Sequence, residues 1–342
     1  MSVRETAFCV PRNEYVTPSR PPKSDGRWMA AVEDGQLRRA MHELYAEPSV
    51  IQRPTEERPW AEFEYSNPGD YRKFVTFMND VDNVALLGDH RRTHCFRGQA
   101  CSKWPLIPKL SRLLKGMPLP DALEREFEAI RYFQERAHVF IPSSVPERAN
   151  FREWLCLMQH FCAPTRMLDW TSSFVVALYF AVTEEPVDRP GAVWYFNGAS
   201  VQKWMDERYP DAELPANEQD IFENLDAFVD WGMHKARPKI CFVHSERKSE
   251  RIMAQRGVFT ICEQLFADHG SLLGSALMNE DFLCKIIISP EAKRFFRQYL
   301  SKLNVSAVTL FPGIDGLGRS ICETIRVERE LWEETSAQEG AA

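Results

Sequence analysis

Two stretches decide how this chain is read: "CFRGQ" at 95–99 and "QHFCAPTRMLDWTSSFVVALYFA" at 159–181. The first ends an apolar run with an arginine placed directly before a glycine. The second opens the most hydrophobic segment of the chain with Asp169-Trp170-Thr171-Ser172-Ser173. Neither choice helps a core. Both make sense if the two segments meet across a cleft that holds a negative charge. Arginine offers a planar fork that fits phosphate or carboxylate, and glycine lets backbone approach closely at a sheet edge. Hydroxyls at a helix start leave its amides and positive dipole end for an anion. Each stretch also has a plain structural reading. Arg97 can be held in an ion pair with a buried aspartate, and Asp169 and Thr171 are good helix caps with no further task.

Outward from these segments, the apolar period changes several times. Residues 69–86 carry Tyr71, Phe74, Phe77, Met78 and Val81 at helical spacing, and 28–47 also reads as helix. A short strand precedes and includes the Arg-Gly. Residues 121–140 form an amphipathic helix with Asp121 as the expected N-cap and Leu123, Phe127, Ile130 and Phe133 on one face. A second helix covers 151–161, and a third, apolar all round, covers Thr171 to Thr183. Short β-like runs follow at 191–196, 239–243, 257–261 and 284–289, with an acidic, partly helical stretch at 199–236. Residues 290–303 read as a helix, "VSAVTLF" (305–311) as a strand, and "PGIDGLGRSI" as a turn and helix start. Separated helices and short strands predict an α+β fold with a mixed or antiparallel sheet. The expected division is an N-terminal arm and helical extension over 1–83, a main domain over 84–326 and a tail over 327–342.

Composition narrows the function. The 342 residues carry a net charge of -7, against a general nucleic-acid-coating protein. The longest apolar run, 174–182, is half of what a membrane span requires. The first residues lack an apolar signal stretch, so a cytoplasmic protein without membrane contact is expected. Nine cysteines without C-x-x-C spacing read as reduced, mostly buried thiols, and no metal site is expected. No Walker, G-x-G-x-x-G, G-x-S-x-G or H-E-x-x-H sequence is present, and "GIDGLG" (313–318) lacks the strand and helix context of a phosphate loop. Gln159 and His160 end an apolar helix and can reach the same cleft. His160 there is a ribose or amide partner, or simply a packed helix-end residue. Arg251, Gln255 and Gly257 stand just before "VFTI", where a polar residue points to a cleft or to solvent.

Taken together, these residues resemble the FRG domain family. The matching positions are Phe96-Arg97-Gly98-Gln99, Trp104 to Pro108, Arg112, Gln159-His160, Pro164-Thr165-Arg166 and Leu168 to Thr171. They continue through Ala177, Leu178, Phe180 and Ala181 to Arg251, Gln255, Gly257, Val258 and Phe259, and end with Leu310-Phe311-Pro312 and Gly316-Leu317. The layout is more distantly similar to ADP-ribosyltransferases of the Arg-Ser-Glu type. That resemblance implies NAD as substrate, with no metal. It assigns cofactor binding to Arg97, Gly98, Gln99, Thr171 and Ser172. It assigns catalysis to Arg97, His160, Asp169 and Gln255, with Gln255 where those enzymes carry a glutamate. Asp169, Glu250 and Glu263 are the carboxylates able to stand in for it. The implied role is a toxin or phage-defence effector acting on a protein or nucleic-acid acceptor, with a cognate inhibitor as a further partner. The alternative is a non-catalytic module whose arginine-lined pocket binds a nucleotide or a partner's anionic group.

Overall fold

The computed structural model describes residues 50–52, 55, 58–65, 94–141, 145–148, 150–210, 224–243, 245, 249–277 and 283–341. The helices expected over 28–47 and 69–86 lie outside them. The α+β class holds. The strands are β1 (Val50–Gln52), β2 (Ala61–Tyr65), β3 (His94–Gln99), β4 (Met167–Thr171), β5 (Gly191–Asn197), β6 (Ile240–Val243), β7 (Gly257–Cys262) and β8 (Cys284–Ile288). They form one sheet in the order β1-β2-β8-β5-β3-β4-β7-β6. The six strands from β8 to β6 pair antiparallel. The β1–β2 pair extends the sheet beside β8, with β2 parallel to it. Strands β1 and β2 therefore share the sheet of the main domain, although the sequence reading places them in the N-terminal arm.

The helices are α1 (Lys109–Leu113), α2 (Leu119–Phe140), α3 (Phe151–His160), α4 (Phe174–Thr183), α5 (Gly198–Arg208), α6 (Leu225–Asp230), α7 (Glu250–Ala254), α8 (His269–Leu277), α9 (Pro290–Lys302), α10 (Ala307–Leu310) and α11 (Ile314–Ala341). A π-helical turn, Trp231–Lys235, follows α6. The buried core lies in three clusters. On one sheet face, α4 and α9 bury Phe174, Leu178, Ala292 and Phe296 against Phe96, Val193 and Ile286. On the other, Trp170, Trp194 and Phe196 pack with Val201 and Met205 of α5 and Leu273 of α8. The third cluster joins α2, α3 and α6 to Met167 and Ile261.

Gly98 explains how closely α4 rests on the sheet. A Cβ there would lie 1.9 Å from the carbonyl oxygen of Ala177 and 2.7 Å from the amide of Ala181. Ala177 and Ala181, one turn apart, complete the small-residue contact. The glycine after Arg97 thus serves the helix behind the strand, and β3 sits in the middle of the sheet between β5 and β4, away from its edge.

Four local expectations are corrected. The helix expected from Thr171 begins at Phe174; Thr171 ends β4, and Ser173 is the cap residue. The predicted N-cap Asp121 stands in the first turn of α2, behind Pro118. Its place costs nothing, because an early carboxylate still favours the helix dipole. The strand expected at 305–311 is the single helical turn α10, closed by a capping box between Ser306 and Thr309. The tail boundary at 326/327 falls inside α11, whose Glu330 pairs with Arg297 of α9 where both are buried.

Candidate functional site

The sheet is split at its centre. β3 and β4 share one registered pair, Phe96 opposite Thr171. Beyond it β3 pairs with β5 and β4 with β7, so the ladder between the two central strands stops. A cleft of about 290 Å³ opens there, at the small end of the range for ligand pockets. Arg97 bridges the split: its Nη1 donates to the carbonyl oxygen of Asp169 at 2.6 Å and lies 3.8 Å from that residue's Oδ2. Its Nε is buried with no hydrogen-bond partner. The side chain is 19% exposed, and that of Asp169 is 56% exposed. Burial works against the charge of the Arg97 guanidinium. Asp169 and Glu184 restore it, and Arg112 opposes it. Such a cation is best neutralised by an incoming anion.

The strand pattern explains the aspartate. In β4, Leu168 and Trp170 are buried on one face, and Asp169 between them is exposed and lines the cleft. Gln159, at the end of α3, holds it with a hydrogen bond of 2.8 Å from its amide nitrogen to Oδ2, and Thr165 donates to the oxygen of that amide. The chain Thr165–Gln159–Asp169–Arg97 fixes the cleft floor. Lys109, Arg112 and Arg251 add three more cations to the lining, and Glu184 adds the second carboxylate. Lys109 donates to the Cys162 carbonyl at 2.8 Å and Arg112 to that of Ile107. Arg251 lies over the Phe311 ring, 4.6 Å from its centre.

The other expected site residues divide. Gly98, Thr171 and Gln255 line the cleft. The Thr171 hydroxyl donates to the carbonyl of Gln255 at 2.7 Å and accepts from the Ser173 amide at 3.0 Å. The Gln255 amide nitrogen donates to Leu310 at 3.0 Å, which leaves its Oε1 as the acceptor. Three expected residues are not among the lining. Gln99 is buried, accepting from Trp194 Nε1 at 2.7 Å. Ser172 bonds Arg256 through its backbone amide, 3.1 Å. His160 sits behind the wall, its Nδ1 3.3 Å from Ser249 Oγ, and burial and Arg251 lower its pKa. Of the substitute carboxylates, Asp169 alone is in the lining. Glu263 is buried against Arg237, whose amide it accepts at 2.8 Å.

Arg166 is not a ligand group: it is 1% exposed and forms a double hydrogen bond with Glu126, equally buried. Burial pushes the Cys95, Cys156 and Cys262 thiols up to about 12, which makes them poor nucleophiles. Among the described residues, no group of three His, Cys, Asp or Glu side chains is placed to hold a metal ion. No helix among them is long and apolar enough to cross a membrane.

Sequence reasoning missed Glu184. Its signal was a carboxylate closing an apolar helix at the negative end of the dipole, where it is disfavoured unless another task keeps it.

The fold and cleft define an α+β protein with a cation-lined cleft at a split between two neighbouring strands of the sheet. Residues 92–189 match the model of the FRG domain family, and the chain carries an FRG domain there. No curated protein matches the chain, and no solved structure does. The matched segment runs from β3 to the end of α4 and beyond. It supplies Arg97, Arg112, Asp169, Thr171 and Glu184, while Arg251 and Gln255 come from outside it.

Proposed function

We propose that the cleft binds NAD through its pyrophosphate and that the protein breaks the nicotinamide–ribose bond, as an ADP-ribosyltransferase or an NAD glycohydrolase. The observation that carries this reading is Arg97, a mostly buried cation with an unpartnered Nε, set in the central split beside an exposed carboxylate. Arg97, with Arg112 and Lys109 nearby, offers the fork and charge that a pyrophosphate needs. A cleft of about 290 Å³ takes the ribose and phosphates, with the adenosine end over the rim. Asp169, held by Gln159, is the group that answers the positive charge growing on the ribose as nicotinamide leaves. A fixed charge of this kind is typically worth about 10²–10³ in rate. Gln255 supplies an acceptor for a ribose hydroxyl and no charge. Nicotinamide is a cationic leaving group that departs neutral, so positioning does much of the work. Consumption of NAD, or marking of a protein or nucleic-acid acceptor, suits a toxin or phage-defence effector that a cognate inhibitor holds in check.

The test is nicotinamide release from NAD by the purified protein, with and without cell lysate. Wild type releases it, Arg97→Ala loses at least about 10²-fold, and Gln255→Ala loses less. A wild-type protein that neither releases nicotinamide nor gains melting temperature with NAD sinks the reading. A gain in melting temperature without release favours the second reading, an anion-binding module. The neutral amide of Gln255, where the enzymes carry a glutamate, is the observation behind that alternative.

A further inference from the structure

A nucleophile that takes the ribosyl group must lose a proton, and Gln255 cannot accept it. Glu184 is placed to do so. It follows α4 as the C-cap residue, at the end of the helix where a carboxylate is disfavoured. It borders two hollows at once: the cleft between β3 and β4, and an open hollow of about 380 Å³ between α4 and α11. The second hollow is walled by Tyr179 and Thr183 from α4 and by Arg319, Cys322 and Arg326 from α11. Glu184 is the carboxylate shared by both linings.

Its charged neighbours come from every element around it. Glu184 is exposed at the surface, and partial desolvation where it faces the cleft raises its carboxyl above the ordinary range. Arg319 of α11, Arg97 of β3 and Arg251 of α7 pull it down, and Asp169 of β4 adds to the rise. A carboxyl raised above its ordinary range is a stronger base than a free glutamate. The other groups on this rim are committed. Arg326 donates to the Thr183 carbonyl at 2.7 Å and to Glu185 at 2.6 Å. Glu323 accepts from the Tyr179 hydroxyl and, at 2.9 Å, from the Ala307 amide. Among the described residues, no hydrogen bond or ion pair occupies the Glu184 carboxylate.

We infer that Glu184 is the general base of the reaction, deprotonating a hydroxyl nucleophile that enters from the hollow between α4 and α11. This rests on the NAD reading of the cleft. The O–H proton passes to the Glu184 carboxylate as the oxygen bonds to C1′ of the nicotinamide ribose. The C1′–N bond breaks with its electron pair going to the ring nitrogen, and neutral nicotinamide leaves. Glu184 then returns the proton to solvent. Water and the hydroxyl of an acceptor share this chemistry. Free ADP-ribose as product marks the first, and an ADP-ribosylated acceptor in the lysate arm marks the second.

The experiment compares the wild-type full chain with Glu184→Gln, reading nicotinamide release and the NAD-induced rise in melting temperature, with and without sodium azide. Azide attacks as an anion and needs no base. The expected result is normal NAD binding by E184Q, release slowed by about 10²–10⁴, and release restored by azide with formation of ADP-ribosyl azide. Unchanged release by E184Q, loss of NAD binding, or a slowed variant that azide does not restore would each overturn the role of Glu184. Active wild type with equally active E184Q removes this role alone and leaves the NAD reading standing. Inactive wild type removes both.

Discussion

Arg97 and Arg166 look alike in the sequence, each an arginine at the border of an apolar run, and the structure gives them opposite tasks. Arg166 meets Glu126, forty positions earlier, and both are 1% exposed. Arg97 meets the backbone of Asp169 and keeps a buried Nε unpaired. The difference was not legible, because it depends on a partner that only the folded helix α2 brings near. It is testable as stability. Removing one member of a buried ion pair strands the other charge, at a cost of about 3–5 kcal/mol. Urea unfolding of Glu126→Ala should show a loss of this size. Arg97→Ala, whose ionic partner is exposed, should lose several times less. Equal losses would mean that the cleft arginine is a structural ion pair after all. Asp169 was legible as a functional candidate because a lone charge between Leu168 and Trp170 helps no core. Its role as an N-cap was the reading that failed.

At the level of elements, strands β5 to β8 were legible because each is a short apolar run bounded by polar residues. Strand β4 was not. Its "MLDWT" is short and carries a charge at its centre, so the periodicity assigns it no element and begins the helix at Thr171, where the strand ends and a two-residue break precedes the helix. The α10 turn was misread for a related reason. Val305, Val308 and Thr309 favour a strand, but the reciprocal Ser306–Thr309 cap satisfies the backbone locally and decides for helix. The packing of α4 on β3 carries a prediction of its own. Ala at position 98 would put a Cβ 1.9 Å from backbone, which no side-chain rotation relieves. Gly98→Ala should therefore cost about 3 kcal/mol or more, the upper part of the overpacking range, and should lower the melting temperature. Because α4 carries Glu184 and β3 carries Arg97, the same variant should weaken nicotinamide release more than its remaining folded fraction explains. A variant as stable as wild type would show that the two elements do not meet as closely as described.

For the molecule as a whole, a net charge of -7 surrounds a cleft lined by four cations and two carboxylates. Total charge was therefore a poor guide to the cleft, and the cation cluster was visible only once β3, α1 and α7 met. The cleft also places a demand on the core beneath it. His269, at the start of α8, is 1% exposed, with Nδ1 3.3 Å from Thr260 Oγ1, which accepts from Trp170 Nε1 at 2.8 Å. Burial, helped by the charge of Arg97, lowers the His269 pKa from 6.5 to about 3. The unfolded chain protonates this histidine near pH 6.5, and the native protein does so only near pH 3. Between those values the unfolded state binds one more proton, so stability is full above pH 6.5 and falls as the pH drops through the window. One proton corresponds to a slope of about 1.4 kcal/mol per pH unit. The carboxylates add their own acid slope, but His269→Gln shares them. Urea unfolding of wild type and His269→Gln between pH 6 and pH 4 should thus give a shallower dependence for the variant, by about that one-proton slope. Coincident slopes would show that His269 takes up its proton inside the folded protein. Adding Arg97→Ala to wild type should flatten the same window in part, since the guanidinium is the second cause of the shift. That result would tie the cleft arginine to the core through its charge.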